Sequence, residues 1–204
     1  MKDITILENF FNDEDVEEAR QLIDDESLLK SDVCKKFEHL LRSWHFNPGD
    51  NCDKRVILDT RPHLTLQHGM KDMIPSVQNY ILKILNRIET CMNVKFQLQR
   101  VYLNRQVRGQ DVTLHTDDTQ INAYTLLIYI GDITPENYDK TGGDLEFKDT
   151  YNTRVEPFKK RAVLFRGDIP HLAHAPLIPG ITRLSIALKI DDISYISPFV
   201  IKST

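Results

Sequence analysis

Apolar positions recur at helical spacing in two early stretches of the chain. Phe10 and Phe11 precede Asn12, a residue suited to cap a helix, and Asp13, Glu14 and Asp15 follow where the helix dipole favours anions. Val16, Ala19, Leu22 and Ile23 continue at helical intervals, which predicts an amphipathic helix resting on something apolar. A second, clearer stripe runs through Ile74, Val77, Ile81, Ile84, Leu85 and Ile88, with Pro75 in the first turn, where its missing N–H costs nothing. Between residues 30 and 66 no period holds: Asn47-Pro48-Gly49-Asp50-Asn51 reads as a turn and residues 55–58 as a short strand.

After Met92 the period changes from helical to alternating. Residues 94–98 alternate apolar and polar, residues 101–103 continue the pattern, and residues 112–115 form a further run. Residues 124–130 are more apolar, which predicts a strand central in its sheet. Further strands are expected over 145–147, 161–165 and 182–190, separated by turn signals at Arg108-Gly109, Gly131-Asp132, Thr141-Gly142-Gly143 and Pro179-Gly180. Strands that follow one another without intervening helices predict an antiparallel sandwich or barrel. The fold class is therefore mainly β with N-terminal helices (α+β).

Composition narrows the setting. The chain has 204 residues, enough for one domain with a helical extension, and its net charge of −4 leaves no bulk basic footprint for nucleic acid. No apolar run approaches the roughly 18 residues that span a bilayer, and the opening residues lack the apolar core of a signal peptide. Cys34, Cys52 and Cys91 are odd in number and form no CxxC pair, so a reducing, cytoplasmic setting without membrane attachment is expected.

The sharpest chemical feature is His115-Thr116-Asp117 at the end of a predicted strand. Residues two apart on a strand point the same way, so imidazole and carboxylate can converge on one point. A second imidazole is available from His171 or His174, just after the 161–165 strand. Two imidazoles and one carboxylate make the facial triad typical of non-haem Fe(II) oxygenases. Arg183 lies on a strongly apolar strand, where an unpaired guanidinium is costly, and its planar fork suits a carboxylate. Ser185 faces the same side and could donate to the same group.

At these residues the chain resembles the 2-oxoglutarate- and Fe(II)-dependent oxygenases, and among them the prolyl-4-hydroxylase-like branch. The resemblance covers roughly residues 94–191, with a weaker match at Ile6-Leu7-Glu8-Asn9-Phe10-Phe11. It rests on four elements in order: His115-Thr116-Asp117, Gly142-Gly143-Asp144-Leu145-Glu146-Phe147, Pro170-His171, and Gly180-Ile181-Thr182-Arg183-Leu184-Ser185.

The resemblance implies a double-stranded β-helix, that is, a cupin-like jelly roll. As one domain over residues 1–204, it would comprise a helical buttress and rim (1–92), the β-helix core (93–191) and a C-terminal tail (192–204). It implies iron held by His115, Asp117 and His171, with His174 as the alternative distal ligand. The distal carboxylate of 2-oxoglutarate would lie on Arg183 and Ser185, with Tyr102 and Asn104, or Tyr129, as further contacts. O2 is the co-reactant, succinate and carbon dioxide are by-products, and ascorbate is an accessory reductant. Because halogenases of this kind lack the carboxylate, Asp117 favours hydroxylation or demethylation.

The implied activity is hydroxylation of a C–H bond, foremost on a prolyl residue of a protein or peptide. The rim would consist of residues 104–111 with Arg105 and Arg108, residues 132–141, and the stretch around Trp44-His45-Phe46. Leu103-Asn104-Arg105 resembles alkylated-base demethylases, which keeps a nucleobase substrate open, and a small molecule also remains. Two other readings use the same triad: a non-catalytic metal-binding module, and a hydrolytic zinc site. The second gives Arg183 and the glycine pair no role.

Overall fold

A computed structural model of the chain describes residues 3–24 and 75–193. Strand β1 (Ile4–Leu7) and helix α1 (Asp13–Asp24) come first, and α2 (Pro75–Met92) precedes β2 (Phe96–Gln106). Then follow β3 (Ala123–Tyr129), the one-turn helix α3 (Tyr138–Thr141), β4 (Leu145–Phe147), β5 (Arg154–Val155), β6 (Ala162–Arg166), β7 (His171–Ala173) and β8 (Arg183–Asp192).

Both predicted helices form. Asn12 and Asp15 exchange reciprocal backbone–side-chain hydrogen bonds of 2.9 and 2.8 Å, which satisfy donors at the start of α1. Asp15 is also gripped by Arg87 and Lys83 of α2, locking the two helices together.

The strands form two antiparallel sheets. The larger has the order β1-β6-β3-β8-β2 and the smaller β5-β4-β7. The segment before Asp117 extends the smaller sheet: His115 and His171 exchange backbone bonds of 3.0 and 2.9 Å, and the Val112 amide donates to Ala173. The alternation of β3 sorts its residues into two cores. Tyr124, Leu126 and Ile128 face α1 and α2, joining Phe11, Ile81, Ile84 and Ile88. Leu127 and Tyr129 face the smaller sheet, meeting Leu145, Phe147 and Val155. β3 is central in the larger sheet, as its apolar run predicted, and being covered on both sides it is buried at every position.

Several boundaries differ from those read in the sequence. The runs 94–98 and 101–103 are one strand, β2, with an irregular register between Leu98 and Arg100. Residues 4–7, of which only Ile6 and Leu7 belong to a sequence motif, are the edge strand paired to β6, and β5 and β7 are too short to show a period. Residues 112–115 make a single bridge, because the chain must leave the sheet to turn Asp117 inward. The expected strand at 55–58, the rim stretch around Trp44, His45 and Phe46, and most of the C-terminal tail lie outside the described residues. Among the described residues no helix is long and apolar enough to cross a membrane, and Cys91 is a free, exposed thiol.

Candidate active site

The space between the sheets is lined from both sides. The bridge between His115 and His171 sets the two backbones side by side, so their rings lie 4.5 Å apart between centroids. The Asp117 amide donates to the Gly167 carbonyl (2.8 Å), which fixes the turn that brings its carboxylate beneath the rings. His115 Nε2 stands 3.6 Å from Asp117 Oδ1, and His171 Nε2 stands 3.5 Å from Oδ2. One nitrogen or oxygen from each residue lies within 4.8 Å of the others, a grouping of the size a single ion spans.

The tautomers follow from the remaining nitrogens. His115 Nδ1 is 2.8 Å from the Thr113 carbonyl and His171 Nδ1 is 2.8 Å from that of Ile169. A carbonyl can only accept, so Nδ1 carries the proton and each Nε2 lone pair points at the shared space, as metal-bound imidazoles require. The Phe147 and Phe165 rings flank His171, the nearer at 4.8 Å, and exclude water from that side.

The electrostatics mark the same spot. Burial pushes the Asp117 carboxyl upward, but His115 beside it and the Lys189 ammonium outweigh burial and hold it well below the usual carboxylate range. Asp117 in turn raises His115, whereas burial lowers His171. The surroundings thus favour an ionised Asp117 and a neutral His171, the donor states a divalent cation needs. Asp117 favours the charged form of His115, whereas a cation in the same place would favour its lone pair.

Arg183 shares the inward face of β8 with Lys189. It lies on β8 facing the smaller sheet and is 3% exposed. Its Nε donates to the Gly143 carbonyl (2.9 Å), Nη2 to the Tyr129 hydroxyl (3.1 Å), and Nη1 to Gln106 Oε1. Gly143 offers that carbonyl from φ +100°, a conformation that explains its place in the glycine pair. Cross-strand partners share a face, so Asn104 opposite Ser185 and Gln106 opposite Arg183 look the same way. Ser185 is 0% exposed and its hydroxyl has no hydrogen-bond partner among the described residues. An orphaned buried hydroxyl beside a buried guanidinium fits a carboxylate-bearing guest that satisfies both.

The other expected residues divide. His174 turns away from the triad: its Nε2 lies 3.0 Å from Glu146 Oε2 and its Nδ1 3.8 Å from Asp111. Tyr102 sits opposite Ala187 on β2, and its side chain lies outside the described residues. Three residues not singled out from sequence also meet the site: Thr125, Lys189 and Gln106. Thr125 and Lys189 are polar interruptions on the inward faces of apolar strands, the one signal that could have found them, whereas Gln106 ends a strand rich in polar residues and carried no such signal.

No protein-family model matches the chain, and no curated protein sequence matches it. Its two-sheet fold is similar to that of solved 2-oxoglutarate/Fe(II) oxygenase structures, prolyl hydroxylases among them, whose fold is a jelly roll. One is a Trichoplax adhaerens prolyl hydroxylase in complex with a hypoxia inducible factor oxygen degradation domain peptide fragment (16% identity, 93% of this chain and 84% of that one, TM-score 0.52). Another is a Pseudomonas putida prolyl-4-hydroxylase (14% identity, 94% and 89%, TM-score 0.52). A third is HygX from Streptomyces hygroscopicus with nickel, 2-oxoglutarate and hygromycin B bound (12% identity, 94% and 84%, TM-score 0.58).

Proposed function

We propose that the protein is an Fe(II)- and 2-oxoglutarate-dependent dioxygenase that hydroxylates a C–H bond, with a prolyl residue of a protein or peptide as its substrate. The observation that carries the reading is the sharing of one strand face by two polar groups. Lys189 of β8 contacts Asp117, which stands with His115 and His171, and Arg183 with the orphaned Ser185 hydroxyl lies along the same face of β8. A hydrolytic zinc site has no use for the second of these, and neither has a bare metal-binding module.

Each residue has a definite task. The Nε2 atoms of His115 and His171 and an oxygen of Asp117 would hold the iron, their orientation set by the Thr113 and Ile169 carbonyls. Arg183, Ser185 and the Tyr129 hydroxyl would bind the distal carboxylate of 2-oxoglutarate, its charge matched by the guanidinium. Phe147 and Phe165 keep water from the His171 side. When bound, the metal and cosubstrate supply the oxidising power needed to break an unactivated C–H bond; the protein supplies placement and dryness.

A peptide substrate is supported by the Trichoplax enzyme, whose structure holds a peptide fragment. HygX, with hygromycin B bound, favours a second reading in which a small molecule is oxidised. The test is in two parts. Succinate release from 2-oxoglutarate with Fe(II) and O2 should be found, and mass spectrometry of proline-containing peptides should show the gain of one oxygen. No succinate in any condition refutes the class; succinate with oxygen entering only small molecules refutes the peptide substrate.

A further inference from the structure

We propose that Thr125 and Lys189 are positioning residues for Asp117: they fasten one oxygen of its carboxylate so that the other alone serves a bound metal. The inference rests on the metal-site reading above. Thr125 and Lys189 are direct cross-strand partners on β3 and β8, both facing the smaller sheet. The Thr125 hydroxyl donates to Asp117 Oδ2 at 2.6 Å, and the Lys189 ammonium contacts the same oxygen. Lys189 Nζ is also 2.9 Å from Thr125 Oγ1.

A hydroxyl has one hydrogen, and here it goes to Asp117, so the Lys189–Thr125 bond must run from ammonium to hydroxyl oxygen. The result is a directed chain, Lys189 to Thr125 to Asp117, each bond polarising the next. Both carboxylate oxygens border the space between the imidazoles, Oδ1 near His115 and Oδ2 near His171. What separates them is lone-pair supply. Oδ2 already accepts from two donors, whereas Oδ1 meets among the described residues only the His115 imidazole at 3.6 Å, itself a ligand, and so has lone pairs for a cation. One-oxygen ligation occupies one coordination position where a chelating carboxylate would occupy two. It therefore leaves room for a two-point cosubstrate and one further ligand. This also accounts for a buried threonine within the apolar β3 and a lysine within the apolar β8, both costly without partners.

The test uses Co(II) alone on the full chain, because its visible absorption intensity reports coordination number independently of turnover. Thr125→Val should lower Co(II) affinity about tenfold, the lower end of the loss typical for partners of metal ligands, and should alter the spectrum. Thr125→Ser should restore both. Lys189→Met removes a fastening donor and a repelling charge together, so its readout is the spectrum, which should change and be restored by Lys189→Arg. Thermal unfolding of the metal-free variants checks that each is folded. Wild-type affinity and spectrum in both Thr125→Val and Lys189→Met overturn the proposal, and a change in Thr125→Val alone overturns the part given to Lys189. Unchanged Co(II) binding in His171→Ala would instead overturn the metal-site reading beneath it.

Discussion

The Tyr129 hydroxyl lies 3.1 Å from Arg183 Nη2, and the guanidinium carbon stands 5.0 Å from the centre of the same ring. The two residues occupy neighbouring strands of the larger sheet, and both are buried. A guanidinium held by its own sheet is aimed before any ligand arrives, so little ordering cost remains to be met on binding.

Removing that guanidinium should be felt as cosubstrate affinity. Arg183→Ala is expected to raise the 2-oxoglutarate KM about 10- to 100-fold, from the roughly 1.5–3 kcal/mol typical of hydrogen bonds to charged groups. Arg183→Lys should recover only part of it, because an ammonium cannot reproduce the planar fork. Succinate formation against 2-oxoglutarate concentration measures both. An unchanged KM in Arg183→Ala removes this residue from the site.

Tyr129→Phe deletes one hydroxyl and keeps the ring. It should raise the same KM several-fold, in line with about 1 kcal/mol for a single hydrogen bond, and leave the thermal midpoint nearly unchanged. A large fall in the midpoint with no change in KM would make Tyr129 a packing residue only.

Asp117→Ala and His171→Ala should each abolish succinate release while circular dichroism and the two-sheet fold persist, because the cores are built from other residues. Turnover near the wild-type rate in either variant contradicts the assignment of the triad.

Gly131 has no space for a side chain: an added Cβ would lie 2.7 Å from the Thr182 carbonyl and 2.8 Å from the Leu184 amide, on either side of Arg183. Gly131→Ala must therefore push the start of β8 aside, at a cost of about 1–3 kcal/mol. A lowered thermal midpoint together with a raised 2-oxoglutarate KM is expected. If both stay at wild-type values, the close approach is not real.

Glu146 predicts an acid limb of stability. Lys148 and His174 draw its carboxyl down to about 2. A depressed carboxylate stabilises the fold fully above its unfolded pKa near 4.5, and this is lost as pH falls towards 2. Thermal midpoints measured across that window should fall more steeply for the wild type than for Glu146→Gln; parallel curves would dismiss the pair as a contributor.

Read along the chain, local chemistry determined a good deal. The helical stripe ending at Ile88, the alternation after Met92 and the doubly buried run at Tyr124–Ile130 are set by periodicity, which acts between near neighbours. The closeness of His115 and Asp117 was legible from their spacing, although it is a turn held by the Gly167 carbonyl that aims the carboxylate. Only the tertiary structure decided which distant imidazole joins them. His171 and His174 are three residues apart, and backbone pairing with His115 admits the first while Glu146 and Asp111 take the second. Thr125 and Lys189 are separated by 64 positions, and their meeting depends on the register of β3 against β8, which no local pattern encodes. Periodicity selects the face a side chain occupies; its distant partner is chosen by how the strands pair and the sheets stack.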